Sequence, residues 1–171
     1  MIQAWFYIFV GIVLLAGFTV FTGAPFVPSR KKEIRLAFSK LYKMGKNDLL
    51  IDLGSGDGKV VKVATEFQAR AVGVELNPLL ALWSKFRLRN NKLANIYCGD
   101  MFRFEFPEET TVVYVFSDSR DMDKIVKKIQ MESQRLGKPL QLISLAFQPG
   151  KTPGVKLLRS YRAYFLYEIK G

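Results

Sequence analysis

The segment from Leu49 to Lys59 constrains this chain more than any other. An apolar run, Leu49-Leu50-Ile51, ends on Asp52-Leu53. Three glycines then alternate, Gly54, Gly56 and Gly58, and an apolar-periodic stretch opens at Lys59. A short apolar run closed by glycines reads as a buried strand, here Asp48–Leu53, and Lys59–Phe67 reads as a helix. A strand that stops at a flexible turn and feeds straight into a helix is the first half of a βα unit.

The rest of the chain repeats that alternation. Lys31–Met44 carries a helical stripe ending at Gly45. Ala71–Glu75 and Asn95–Cys98 read as strands on either side of a helix over Pro78–Arg89, with proline in its first turn and bases near its end. Thr111–Phe116 is a β-branched and aromatic strand, Asp121–Arg135 a helix with acids early and bases late, and Pro139–Phe147 a fifth strand. Val155–Arg159 and Arg162–Lys170 read as a closing pair. The expected fold is α/β: a Rossmann-like, doubly wound, mostly parallel seven-stranded sheet with helices on both faces. At 171 residues there is room for one such domain.

The strand ends carry the chemistry. Glycines permit positive φ and close approach of a ligand to the main chain. A dinucleotide loop requires glycine three positions after Gly56, where Lys59 stands, and a phosphate-cradling GK[ST] loop fails at Val60. Asp52 and Asp57 instead place negative charge beside the loop, which opposes a pyrophosphate and favours a cation. Glu75 ends the second strand, followed by Leu76 and Asn77, and is placed to accept the hydroxyls of a ribose. Asp100 and Met101 follow the third strand, where Asp100 can accept from an adenine amino group. Acids at successive strand ends around one glycine loop describe a pocket for a cationic adenosine compound, S-adenosylmethionine. The expected cofactor-binding set is Asp52, Gly54, Ser55, Gly56, Asp57, Gly58, Glu75, Leu76, Asn77, Asp100 and Met101.

With these motifs the chain resembles the seven-strand (class I) methyltransferases over residues 47–170. A narrower resemblance rests on Pro25-Phe26-Val27-Pro28-Ser29, on Asp52-Leu53-Gly54-Ser55-Gly56-Asp57-Gly58-Lys59-Val60-Val61, and on the run from Val72 to Lys85. Together they are similar to the membrane-anchored lysine methyltransferases of mitochondria that modify the ATP synthase c subunit and the adenine nucleotide translocase. The likeness implies a lysine acceptor on a membrane protein. After the fourth strand this chain reads Ser117-Asp118-Ser119, where that family carries an apolar, proline-containing segment.

What is missing narrows the chemistry. The chain has no histidine and one cysteine, Cys98. That excludes imidazole acid–base catalysis, Ser-His and Cys-His nucleophile activation, a disulfide framework and a multi-cysteine zinc site, and no metal is expected. Cys98 is expected to pack as a small hydrophobe. Tyr114 and Phe116 are expected in the core. No [DN]PP[FY] motif follows the fourth strand, which disfavours adenine and glutamine N-methylation. Asp118 is the acceptor-side candidate for catalysis; the plainer reading is a helix-capping residue ahead of Asp121. Direct SN2 transfer to a desolvated lysine amine needs no histidine, and Asp118 or a backbone carbonyl could orient that amine.

Residues 1–29 contain no Lys, Arg, Asp or Glu, so all 26 bases and 15 acids follow them. Ile2–Phe21 is almost wholly apolar and about the 20 residues needed to cross a bilayer as a helix. Arg30, Lys31, Lys32 and Arg35 follow directly, which places the remainder on the cytoplasmic or matrix-equivalent side with a very short N-terminus opposite. The expected organisation is a transmembrane anchor over residues 1–24, a linker and N-terminal helix over 25–46, and the catalytic domain over 47–171. The formal charge of +11 is spread without a basic–aromatic motif, so anionic lipid headgroups are the expected electrostatic partner and no specific nucleic acid is. The expected activity is protein-lysine N-methylation of a membrane protein. Methylation of a lipid or quinone-like molecule, RNA methylation, and a non-catalytic cofactor-binding membrane protein are the alternatives.

Overall fold

The computed structural model describes residues 3, 5–7, 10, 30–117, 119–146, 148–150 and 152–171. Within them, seven strands form one sheet in the order β3-β2-β1-β4-β5-β7-β6. The strands are β1 Leu49–Leu53, β2 Arg70–Glu75, β3 Ala94–Cys98, β4 Val112–Val115, β5 Leu140–Leu145, β6 Val155–Tyr161 and β7 Tyr164–Ile169. The first five are parallel; β7 runs antiparallel to both β5 and β6.

All five β1 residues are buried, because the strand lies inside a sheet covered on both faces. One face holds Leu50, Ala71, Val112 and Tyr114 against α1 (Lys31–Leu36), α2 (Lys59–Glu66) and α3 (Pro78–Leu88). The other holds Ile51, Leu53, Val113 and Val115 against Met122, Ile125 and Ile129 of α4 (Ser119–Leu136). The β3–β4 connection contains no helix; its Phe106 fills that second core instead.

Three elements depart from the sequence reading. The N-terminal helix is not α-helical to Met44: α1 passes at Ala37 into a π-helical turn, Ala37–Tyr42, which sets Ala37, Phe38 and Leu41 in the core and ends at Lys43 with φ 63°. The β6 strand runs on to Tyr161 across an irregularity at Leu157/Arg159, where the doubled residue breaks the alternation. The fifth strand stops at Leu145, because Ala146 turns to φ 68°.

The base of β1 is tied by Asp48, whose carboxylate accepts from the Tyr42 hydroxyl at 2.7 Å, the Thr111 hydroxyl at 2.9 Å and the Gly45 N–H at 2.9 Å. Arg162, in the β6–β7 turn, forms an ion pair with Glu33 of α1 at 2.7 Å. Among the described residues no helix is long and apolar enough to cross a membrane. Most of the expected span, Ile2–Phe21, lies outside the described residues.

Strand order reverses between β1 and β4, their neighbours running outward in opposite directions. The carboxyl ends of parallel strands at such a switch point frame a ligand crevice. Asp52, the glycine loop, Glu75 and Asp100 all lie there.

Candidate active site

The glycine loop takes the conformation its composition allows. Gly54, Gly56 and Gly58 have φ of 80°, 52° and 71°, each left-handed. Side chains rarely adopt those angles, so the alternation of glycines is a backbone requirement. The N–H groups of Gly54 and Ser55 both donate to the Val74 carbonyl, at 2.9 and 3.0 Å, fixing the loop to β2.

Glu75 closes the loop from the second strand. One carboxylate oxygen accepts from the Gly56 N–H at 2.7 Å and the other from the Asn77 N–H at 2.8 Å. It is nearly buried. Each carboxylate oxygen offers about two acceptor sites, so capacity for ribose hydroxyls remains. Asn77 caps α3, its side-chain oxygen accepting from the N–H groups of Leu79 and Leu80. Leu76 is exposed beside it.

Asp52 sits at the centre. It is buried, and its Oδ2 has no hydrogen-bond partner; the buried Ser55 hydroxyl has none either. Burial raises the Asp52 carboxyl well above the usual carboxylate range, and the charges of Glu75 and Asp57 push it the same way. An orphaned buried carboxyl among like charges is costly in isolation and is relieved by a cation. The donor set therefore fits a positively charged ligand.

Asp57 is engaged elsewhere. Its Oδ2 accepts from Arg87 of α3 at 2.9 Å, its carbonyl accepts from the same nitrogen at 2.9 Å, and Lys59 stands 3.5 Å away. Its charge is compensated from the protein itself. Asp100 accepts from the Phe102 N–H at 2.9 Å, and Met101 packs against the second core. Asp118 lies outside the described residues. Cys98 is exposed, contrary to the expectation of a packed thiol, because β3 is an edge strand whose last residues face out. Tyr114 is buried in the first core and Phe116 packs on it half-buried, as expected.

Two supporting residues escaped the sequence reading. Ser84 is fully buried on α3 and donates to the Gly56 carbonyl at 2.7 Å; its signal is a hydroxyl on the apolar face defined by Ala81 and Leu88. Gly73 lies opposite Asp52 in the β1–β2 register, and a Cβ there would stand 2.6 Å from the Ser55 hydroxyl and 2.8 Å from Ile96. A glycine inside a strand often marks such an approach.

Residues 52–154 match the family model described as the ANTKMT methyltransferase domain. The chain is 30% identical over 146 residues to the lysine N-methyltransferase of the ATP synthase c subunit from Mus musculus, a match covering 75% of this chain and 58% of that protein. It is 33% identical over 111 residues to the Homo sapiens enzyme of the same name, covering 63% and 46%. The chain thus spans about half the length of the curated relatives it matches. A crystal structure of an RNA methyltransferase from Salinibacter ruber in complex with S-adenosyl-L-homocysteine superposes with a TM-score of 0.69 at 24% identity, covering 84% of this chain and 92% of that one. That likeness bears on the fold alone.

Proposed function

The chain belongs to the ANTKMT methyltransferase domain family, and from that premise we propose that it is an S-adenosylmethionine-dependent protein-lysine N-methyltransferase acting on a membrane protein. The observation that carries the cofactor is the buried, partnerless Asp52 carboxyl at the switch point, beside a left-handed glycine loop and Glu75. The lysine acceptor draws its support from the mouse and human relatives, which are named for it.

When bound, S-adenosylmethionine supplies a methyl group already activated by its sulfonium. The protein's part is then to bind, align and exclude water. Asp52 would ionise beside the cationic cofactor and supply the negative charge that meets it. Glu75 fixes the glycine loop and keeps acceptor capacity for the ribose. Asp100, after β3, is the candidate for the adenine amino group. On the acceptor side, a lysine amine loses its proton more readily once desolvated. Asp118, next in sequence after Ser117 and β4, is proposed to orient it. Residues 1–24 are proposed as a single-pass anchor holding the domain on the cytoplasmic or matrix-equivalent side, within reach of a lysine near the headgroups.

Incubating the full chain with membranes and methyl-tritiated cofactor tests this. Label recovered as methyl-lysine after acid hydrolysis of protein is the expected result. Label confined to the organic extract would give the site to a lipid or quinone-like acceptor and overturn the lysine reading.

A further inference from the structure

The α3 helix is apolar on two opposite sides. Ala81, Ser84 and Leu88 face the domain and are buried. Leu79, Leu82, Trp83 and Phe86, at helical spacing on the opposite side, are 52%, 65%, 54% and 56% exposed. Leu76, two residues before the helix, is exposed as well. The rings of Trp83 and Phe86 stack at 6.2 Å. Single exposed apolar residues are ordinary, but a continuous stripe of leucines and aromatics marks a surface that something else covers.

The surrounding charge says what. From Leu76 to Gly99 there is no acidic residue, while Lys85, Arg87, Arg89 and Lys92 supply four bases. Arg87 is occupied by Asp57, but Lys85, Arg89 and Lys92 are exposed, and the Arg89 guanidinium lies 4.2 Å over the Phe86 ring. Aromatic and leucine side chains bordered by bases, with no acid among them, complement the acyl–headgroup boundary of an anionic bilayer: rings and methyls enter while the bases meet phosphates.

We propose that the outer face of α3, centred on Trp83 and Phe86, is an interfacial docking surface for an anionic lipid bilayer. It goes beyond methyl transfer and holds whatever the acceptor. Because Glu75 and Asn77 lead directly into Pro78, docking by this helix sets the mouth of the candidate cofactor site at headgroup level. It also gives the domain a second membrane contact with a defined orientation.

The chain has two tryptophans, Trp5 and Trp83, so Trp5→Phe leaves Trp83 as the sole reporter. The full chain carrying that change is mixed with phosphatidylcholine vesicles, with or without phosphatidylglycerol, whose acyl chains are brominated near the headgroup. Vesicle-associated protein is recovered by flotation. Trp83 emission is expected to shift blue and be quenched in the anionic vesicles, and much less in the neutral ones. Adding Lys85→Gln and Arg89→Gln should lower the docked-to-undocked ratio about 25-fold, taking each base near an anionic surface at roughly fivefold. The melting temperature should change little: Lys85 is exposed, and Arg89 loses only surface contacts with Phe86. Recovered protein whose Trp83 is unquenched, or quenched equally with and without those bases, overturns the proposal. So does Trp83 already shielded from aqueous iodide before lipid is added, which would assign the face to the chain's own N-terminal segment or to a second copy. Quenching that needs an added membrane protein in neutral vesicles would assign it to a protein partner.

Discussion

Glu75 and Gly56, 19 residues apart, meet at 2.7 Å, the carboxylate at the tip of β2 accepting the N–H at the centre of the glycine loop. The same carboxylate also accepts from Asn77 at the start of α3. One side chain thus joins the loop, the second strand and the third helix. Glu75→Gln keeps the volume but leaves one acceptor oxygen where two are used, and turns an NH₂ toward a backbone donor. The expected cost is about 1–3 kcal/mol in unfolding free energy. S-adenosylhomocysteine affinity, read by isothermal titration, should fall about tenfold or more. Unchanged stability and affinity would mean the carboxylate is replaceable.

Gly73→Ala reverses the usual sign of a glycine-to-alanine change in a strand. Alanine normally stabilises by limiting the unfolded chain. Here the added methyl would stand 2.6 Å from the Ser55 hydroxyl and 2.8 Å from Ile96. Overpacking of that kind costs about 1–3 kcal/mol. Because Ser55 belongs to the glycine loop, cofactor affinity should fall with stability. Urea unfolding checks the first and titration the second; a raised unfolding midpoint would show that the loop simply yields.

The relation of sequence to structure differs between the loop and its supports. The strand end at Asp52 and the left-handed turn through Gly54, Gly56 and Gly58 are legible because apolar run and backbone freedom are written locally. Glu75 was legible by position, yet its bonds to Gly56 and Asn77 depend on how β2 and the loop are stacked. Asp57 shows its charge in the sequence but not its partner: Arg87, 30 residues on, reaches it only when α3 packs beside the loop. The exposure of Cys98 follows from β3 lying at the sheet edge, which strand order decides and local pattern does not. The π-helical turn at Ala37–Tyr42 likewise arises from packing, since its apolar spacing serves an α-helix equally well.

Asp48 provides a control at the other end of β1. It accepts three hydrogen bonds, from Tyr42, Thr111 and Gly45, and stands about 13 Å along the strand from Asp52. Asp48→Ala strands these donors and should cost about 2 kcal/mol in chemical denaturation. Cofactor affinity, measured well below the melting temperature, should be unchanged. A comparable loss of affinity would mean the two ends of the strand are coupled.

Asp52 sets the pH dependence. Burial first, and the charges of Glu75 and Asp57 second, hold its carboxyl protonated well above the usual range. The folded, cofactor-free protein therefore keeps a proton that the unfolded chain releases. With more protons bound in the folded state, stability from this group is complete below the ordinary carboxylate range and is lost as pH rises toward the folded value. Asp52→Asn cannot ionise, so its stability curve should be flatter there, and at mildly alkaline pH the variant should melt above the parent. Binding reverses the preference. A cationic ligand beside Oδ2 favours the ionised carboxyl, so S-adenosylmethionine binding should expel a proton and tighten as pH rises through the Asp52 titration. Titration calorimetry in two buffers of different ionisation enthalpy counts that proton directly. Loss of both the buffer dependence and the affinity in Asp52→Asn is the expected outcome. A variant that binds as tightly as the parent, with the same proton release, would place the cation away from Asp52.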